Sequence, residues 1–401
     1  MLKPGVRGFL PEIIKEFMEN GIMSIIKLFF NIMLYIFSFL IPKSKKYVVI
    51  GGWQGKRFAD NSRGMFEYLD NNKKELGIKK VFWYTRDRKI YEGLFKQGKD
   101  VLYGYQLRSI YWHLRSKVHI IDQNTRDILD VFSIRCIRIN LWHGIPLKKI
   151  GNYITGSGAV KWYAKFISAG AWPEQYILAP SEFSGRMLAF AMGVKRDKCL
   201  IASYPRNAKL YNYRKEEKKK EGCFISFYLP TFRDTEDVNP LLNIDMKSFN
   251  GKLMEKDILL YIKPHFASVS SWEKAKGYSN IIILEAAEDV YDWLYKTDLL
   301  ITDYSSVFFD FMITERAILF YPYDIDYYES HERGFAMPYD ENTPGDKIFT
   351  VSDFEQSLFY IRDNYSEYIK KYIGKYRNVN SKMNKYLEEP NYDDILKFWR
   401  K

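Results

Sequence analysis

Short continuous apolar runs separated by amphipathic stretches recur along most of the chain. A first series of β-rich runs falls at Tyr47–Gly51, Val81–Tyr84, Val101–Tyr103, Val118–Ile121, Ile137–Leu141 and Tyr176–Leu178. Helical spacing of apolar residues lies between several of them, as around Arg63–Lys73 and Glu182–Met192. A second series follows at Phe224–Tyr228, Ile258–Ile262, Ile281–Leu284, Leu299–Thr302 and Ile318–Tyr321. This alternation is the rhythm of βαβ units, whose parallel strands are covered on both faces. Between the series lies Tyr211–Glu221, YNYRKEEKKKE, a charged stretch without apolar periodicity that reads as a solvated linker or helix face. From about Phe354 the pattern is helical and rich in aromatic residues.

The pattern predicts an α/β protein with two Rossmann-like halves, 46–210 and 223–365, joined by a charged linker at 211–222. Helices over 366–401 are expected to pack back on the core. Ligands of such sheets bind beyond the carboxyl ends of the strands, which puts a site in the cleft between the halves.

One segment stands outside this rhythm. Gly21–Ile41, GIMSIIKLFFNIMLYIFSFLI, is apolar apart from Lys27, Asn31 and two serines. It approaches the length of about 20 residues that spans a bilayer. IPKSKK follows it in place of a small-residue cleavage site, which argues against a signal peptide. On a helix, Lys27 and Asn31 share one polar edge beside a broad apolar face, a geometry suited to lying among lipid headgroups. Residues 1–45 are therefore expected to associate with membrane, with Lys43, Lys45 and Lys46 meeting anionic lipid. A true span and a helix buried against the catalytic domain are the alternatives.

Composition narrows the function classes. The chain has 401 residues, 47% hydrophobic and 17% aromatic, enough for two sizeable cores. Its net charge of +12 calls for an anionic partner: nucleic acid, a phospholipid surface or a phosphate-rich substrate. The lysine-rich linker is not a basic stripe interleaved with aromatics, and an apolar anchor has no place in a nucleic-acid binder, so nucleic acid is not expected. Cys136, Cys199 and Cys223 are far apart, which argues against a disulfide framework or zinc site. GxxxxGK[ST] and GxGxxG are absent, and the five histidines show no HExxH spacing. No cofactor or metal is called for.

Residues with chemical potential gather at strand ends. In LWHGIPLKKIG (Leu141–Gly151), His143 follows an apolar run and can take a proton from a hydroxyl, while Gly144 lets a substrate approach the backbone. IKPHF (Ile262–Phe266) repeats this placement with His265, beside Lys263. TFRD offers Arg233, whose planar fork suits phosphate oxygens. In ITDYSSVFFDF (Ile301–Phe311) a strand ends at Asp303, and Ser305 or Ser306 caps a helix from Val307 to Ile313, a ready phosphate site. Asp310, one turn on, could bind a ribose hydroxyl or pair with a neighbouring base. Each of these residues, taken alone, also fits an ordinary structural role.

Taken in order, GKRFADNSRGMFEYL (Gly55–Leu69), LWHGIPLKKIG, APSEFS (Ala179–Ser184), YPRN (Tyr204–Asn207), LPTFRD (Leu229–Asp234), KPH (Lys263–His265), TDYSSVFFDF and RGF (Arg333–Phe335) resemble the CDP-glycerol glycerophosphotransferases of bacterial teichoic acid synthesis. The similarity spans roughly residues 46 to 375. It implies a GT-B fold, a CDP-glycerol or related CDP-alditol donor, a membrane-lipid-linked anionic polymer as acceptor, and peripheral attachment at the cytoplasmic membrane face. It implies that His143 is the catalytic base. His265, Arg233 and the Ser305–Ser306 pair match the donor phosphate site, and Asp303 and Asp310 are counted with them. Gly144 and Lys148 fall on the acceptor side or serve structure. Where many relatives read Pro-Arg-Asn-Asp, this chain has Pro205, Arg206, Asn207 and Ala208, and no catalytic role is assigned to that loop. The expected reaction moves a glycerol-phosphate unit and releases CMP. A ribitol-phosphate donor, or a GT-B glycosyltransferase using a nucleotide-sugar, are the competing readings.

Overall fold

The computed structural model describes residues 29, 32–155, 174–215, 222–231, 233, 239–264, 269–285, 287–332 and 334–400. Its frame is two parallel sheets. The first contains β1 (Ser44–Gly51), β2 (Lys80–Thr85), β3 (Val101–Tyr103), β4 (Ser116–Ile121), β5 (Ile137–Asn140), β6 (Glu174–Ala179) and β7 (Cys199–Ile201), in the order β3-β2-β1-β4-β5-β6-β7. The second contains β8 (Phe224–Leu229), β9 (Ile258–Ile262), β10 (Ile281–Ile283), β11 (Leu299–Thr302), β12 (Ala317–Phe320) and β13 (Asp346–Lys347), in the order β10-β9-β8-β11-β12-β13. In each sheet the order reverses beside the first strand, between β1 and β4 and between β8 and β11. Such switch points open a crevice at the strand ends.

The apolar runs form strands because both faces of each sheet are covered. Every residue of β11 and β12 is buried, as are Val81–Thr85 of β2. Trp83 shows the packing, with the Phe58 and Phe66 rings edge-on to it at 4.7 and 5.8 Å. The two-residue β13, too short to carry a pattern, and the three-residue β7 add to the strands expected from the sequence.

The charged stretch after Tyr211 begins as helix. Ala208–Lys215 is helical, with Leu210 and Tyr211 fully buried, and 216–221 lie outside the described residues. The last part of the chain ties the sheets together. Tyr368 and Tyr376, on the helix Tyr365–Met383, hydrogen-bond the Ile318 carbonyl and amide of β12 at 2.7 and 3.0 Å. Beyond that helix the chain crosses to the first sheet, where Lys385 N donates to Pro180 O at 2.8 Å and Ser203 N to Asn391 O at 2.8 Å.

Residues 1–28, 30 and 31 lie outside the described residues, and the remainder of the apolar segment is helical over 32–37 before the 3-10 turn Ser38–Leu40. Among those described, no helix is long and apolar enough to cross a membrane. Lys43 corrects one expectation. It turns inward and donates to the carbonyls of Leu114 (2.7 Å), Ser116 (3.2 Å) and His113 (3.4 Å), closing the carboxyl end of the helix Leu107–Arg115. Burial, partly offset by the Cys136 thiol, pushes its pKa down to about 8.

Candidate active site

The strand ends of the two sheets face one cavity of about 700 Å³. Into it come the loop after β1 (Trp53, Arg57, Asp60), the loop after β5 (Trp142 to Lys148, and Ile150), and the ends of β8, β9 and β11.

His143 lines this cavity. It sits past a sharp bend: Trp142 has φ +55°, its amide donates to Asn140 Oδ1 at 2.9 Å, and its carbonyl accepts from Asn61 Nδ2 at 2.7 Å. A bulky residue in the left-handed region costs free energy, which these bonds offset. The Trp142 and His143 rings lie 4.2 Å apart. Gly144 follows with φ +148°, and a Cβ there would stand 2.5 Å from Ser306 Oγ. Only glycine lets the His143 loop touch the second half so closely. Gly144 and Ser306, far apart in sequence, therefore meet across the cleft.

Ser305 and Ser306 both line the cavity. Ser306 occupies the cap position with helical angles and makes no cap bond, and Ser305 Oγ is 3.4 Å from Val307 N. The serine hydroxyls thus do little capping, and the helix is shorter than expected, Val307–Phe311 before a 3-10 turn at Met312–Thr314. Lys148 lines the same cavity with its ammonium 5.7 Å from the Tyr328 ring centre. Its backbone bridges to Phe335, flanked by bonds from Lys149 N to Gly334 O and Ala336 N to Leu147 O.

Arg233, Asp303 and Asp310 are not among the residues that line the cavity. Arg233 is 3% exposed and ion-paired. Its Nε and Nη2 donate to Asp324 at 2.6 and 2.9 Å, and Nη2 also donates to Asp303 Oδ2 at 3.0 Å. Both Asp303 oxygens accept from Thr231 N at 3.0 Å. The guanidinium thus has carboxylate partners beneath the cavity wall. Asp310 accepts from Arg206, Asn207 and Tyr291 at 2.5, 2.9 and 2.6 Å, so it pairs with a base, the other alternative the sequence left open. His265 lies outside the described residues, although Lys263 and Pro264 just before it line the cavity. His113 and His119 are core residues, and burial drops His113 to about 4.

Arg57, Asp60, Arg206 and Tyr291, to which no role is assigned from sequence, also line the cavity. Arg57 stacks on Trp53 at 4.7 Å and donates across the cleft to Glu288 O at 3.1 Å. Lys263, noted only as a neighbour of His265, has its pKa lowered to about 8 by burial and then by the Arg57 charge. Burial, and then Asp60, push the Asp289 carboxyl up. A usable signal was present for the first loop, since GKRFAD begins four residues after the end of β1, near a strand end like the other motifs. Trp53, Gln54 and Asp60 there all have positive φ, strain of a kind that clusters at functional sites.

Two Rossmann-like halves whose strand ends face one cleft are a GT-B-like architecture. Residues 33–398 match the model of the CDP-glycerol:poly(glycerophosphate) glycerophosphotransferases, and the chain belongs to that family. It is a glycerophosphotransferase. It is 28% identical over 379 residues to a teichoic acid glycerol-phosphate transferase of Staphylococcus aureus, covering 89% of this chain and 92% of that one. It is also 28% identical over 359 residues to a teichoic acid poly(glycerol phosphate) polymerase of Bacillus spizizenii, covering 80% and 84%. The fold resembles the solved wall teichoic acid polymerase TagF, with a TM-score of 0.67 at 21% identity over 89% of this chain and 88% of that one.

Proposed function

We propose that this enzyme transfers glycerol phosphate from CDP-glycerol to a membrane-linked teichoic-acid or capsule-type acceptor at the cytoplasmic membrane face, releasing CMP. The observation that carries this reading is that His143 shares one cavity with the cations Arg57 and Lys263. His143 removes the proton from the acceptor hydroxyl, and the oxygen attacks the donor's β-phosphorus. The bond from that phosphorus to the bridging oxygen breaks, and CMP leaves with the oxygen. Arg57 and Lys263 neutralise the diphosphate, the hydroxyls of Ser305 and Ser306 donate to it, and His265 is assigned to the same phosphates. Chemistry of this kind is mostly positioning and electrostatics. Membrane attachment is assigned to the segment before Ser38, where Phe29, Ile32, Ile36 and Phe37 are exposed.

The test is mass spectrometry of products from purified protein, a lipid-linked disaccharide acceptor, and CDP-glycerol or CDP-ribitol in parallel. Acceptor masses raised by one or more glycerol-phosphate units, with CMP released, are expected. Added ribitol phosphate would change the donor, and release of a nucleoside diphosphate from a nucleotide-sugar would replace phosphopolyol transfer by glycosyl transfer. Product length separates one-unit from repeated addition.

A further inference from the structure

We infer that Arg206 is a positioning residue for the transfer: a single guanidinium holds the His143 backbone to Asp310 of the second half and so sets the base against the donor-side serines. The inference rests on the reading of His143 as general base.

Arg206 lies in the 3-10 turn Pro205–Asn207, just after β7. Its Nη1 donates to His143 O at 3.0 Å and to Asp60 Oδ1 at 2.8 Å, and its Nη2 to Asp310 Oδ2 at 2.5 Å. Asp310 belongs to the helix that begins immediately after Ser306. Three acceptors from three segments are thus held by one planar group, a task for which lysine has no matching fork. The aromatic rings of Tyr291 and Tyr204 lie 4.7 and 5.1 Å from the guanidinium carbon. The turn packs directly on the helix Asp60–Asn71, whose Gly64 admits the close approach: a Cβ there would be 2.6 Å from the Pro205 carbonyl carbon.

The Arg206 and Asp310 side chains are 4% and 1% exposed. Burial works against the charge on Arg206, but Asp310, Tyr291 and Asp60 outweigh it and hold its pKa well above the ordinary value. A buried pair of this kind is weak evidence of stability, since desolvation offsets most of the attraction. It does fix geometry. Misplacement of a reacting group by about 1 Å can cost about 10²-fold in rate.

The experiment measures kcat, the Kd for CDP-glycerol and the melting temperature of full-length Arg206→Lys, Asp310→Asn, His143→Ala and the double variant His143→Ala/Arg206→Lys. Lys209→Ala, which removes the exposed Lys209–Asp292 pair, is the control and should keep wild-type kcat. Arg206→Lys and Asp310→Asn should lose about 10- to 100-fold in kcat, with Kd changed less than about 3-fold. The double variant should be no slower than His143→Ala, because the arginine acts through the histidine. If Arg206→Lys does not fold, Asp310→Asn, close in shape, carries the test alone and in combination with His143→Ala. Wild-type kcat in the folded variants, or losses that multiply in the double variant, overturns the inference while leaving His143 as base. Full activity of His143→Ala instead overturns the base reading, and the inference with it.

Discussion

At the scale of single residues, burial and a neighbouring cation tune one lysine of the cavity. Lys263 titrates near 8 in the free enzyme because it is buried and then because Arg57 stands near it. A diphosphate placed against both would favour the protonated ammonium, so donor binding should take up a proton around pH 8. Below about 8 the lysine is already charged and affinity is insensitive to it; above, the proton must be supplied and affinity falls. The Kd for CDP-glycerol should therefore rise between pH 7 and pH 9, and Lys263→Met should bind more weakly at pH 7 and flatten the rise. Calorimetry in buffers of different ionisation enthalpy checks both, and a pH-independent Kd in the wild type would remove Lys263 from the phosphate site. Arg233 behaves differently. It is consumed by Asp303 and Asp324, so Arg233→Ala should destabilise the fold by about 3–5 kcal/mol through its uncompensated carboxylates. Thermal melting reads this directly; a wild-type melting point with weakened donor binding would return Arg233 to the phosphates. The sequence showed which residue types sat at strand ends, and the cavity does contain His143, Ser305 and Ser306. It could not show which charges neutralise each other, because Arg233 meets Asp324 and Arg206 meets Asp310 only through the tertiary fold.

At the scale of elements, legibility followed length and burial. Parallel strands covered on both faces read as apolar runs, so most of the strands were visible in the sequence. Positive charge near an apolar segment was a poorer guide. Lys43 looked like a lipid-facing lysine and instead caps the helix Leu107–Arg115. Arg135 reaches the same region, donating to Ser38 O at 3.0 Å and covering the Phe39 ring at 3.9 Å. The segment from Ser38 to Lys43 thus belongs to the folded body, and a boundary for removing the apolar segment falls before it. Deletion of residues 1–37 should release the protein from membranes while keeping its melting temperature and much of its turnover on a soluble acceptor analogue. Deletion of 1–43 should also lower the melting temperature, since helix carbonyls lose their donor. Flotation with anionic vesicles and differential scanning calorimetry check the pair; continued flotation of the shorter deletion would place attachment on the basic catalytic body.

At the scale of the whole molecule, the chain's last residues hold the first sheet from outside. Ile201 N in the edge strand β7 donates to Asp394 Oδ2 at 2.8 Å, and Asn391 N donates to Ser203 Oγ at 3.0 Å while Asn391 O accepts from Ser203 N. Tyr211 OH donates to Tyr386 O at 2.8 Å, and the Tyr68 and Tyr392 rings meet at 4.7 Å. These contacts bracket the turn that carries Arg206: Ser203 precedes it by three residues and Tyr211 follows it by five. The tail is thus placed to hold that turn against the cleft as well as to cover an edge strand that would otherwise expose unpaired amides. Truncation after Asn384 should lower the melting temperature and reduce kcat more than it weakens CDP-glycerol binding, because the donor-side loops after β8, β9 and β11 do not depend on the tail. Asp394→Ala, which removes one bond at the edge, should show a small melting shift with kcat nearly unchanged. Steady-state kinetics and calorimetry on both variants decide the matter. If the truncated protein loses donor affinity as fully as it loses turnover, the tail supports the whole cleft; if kcat is untouched, it is a cover for β7 and nothing more.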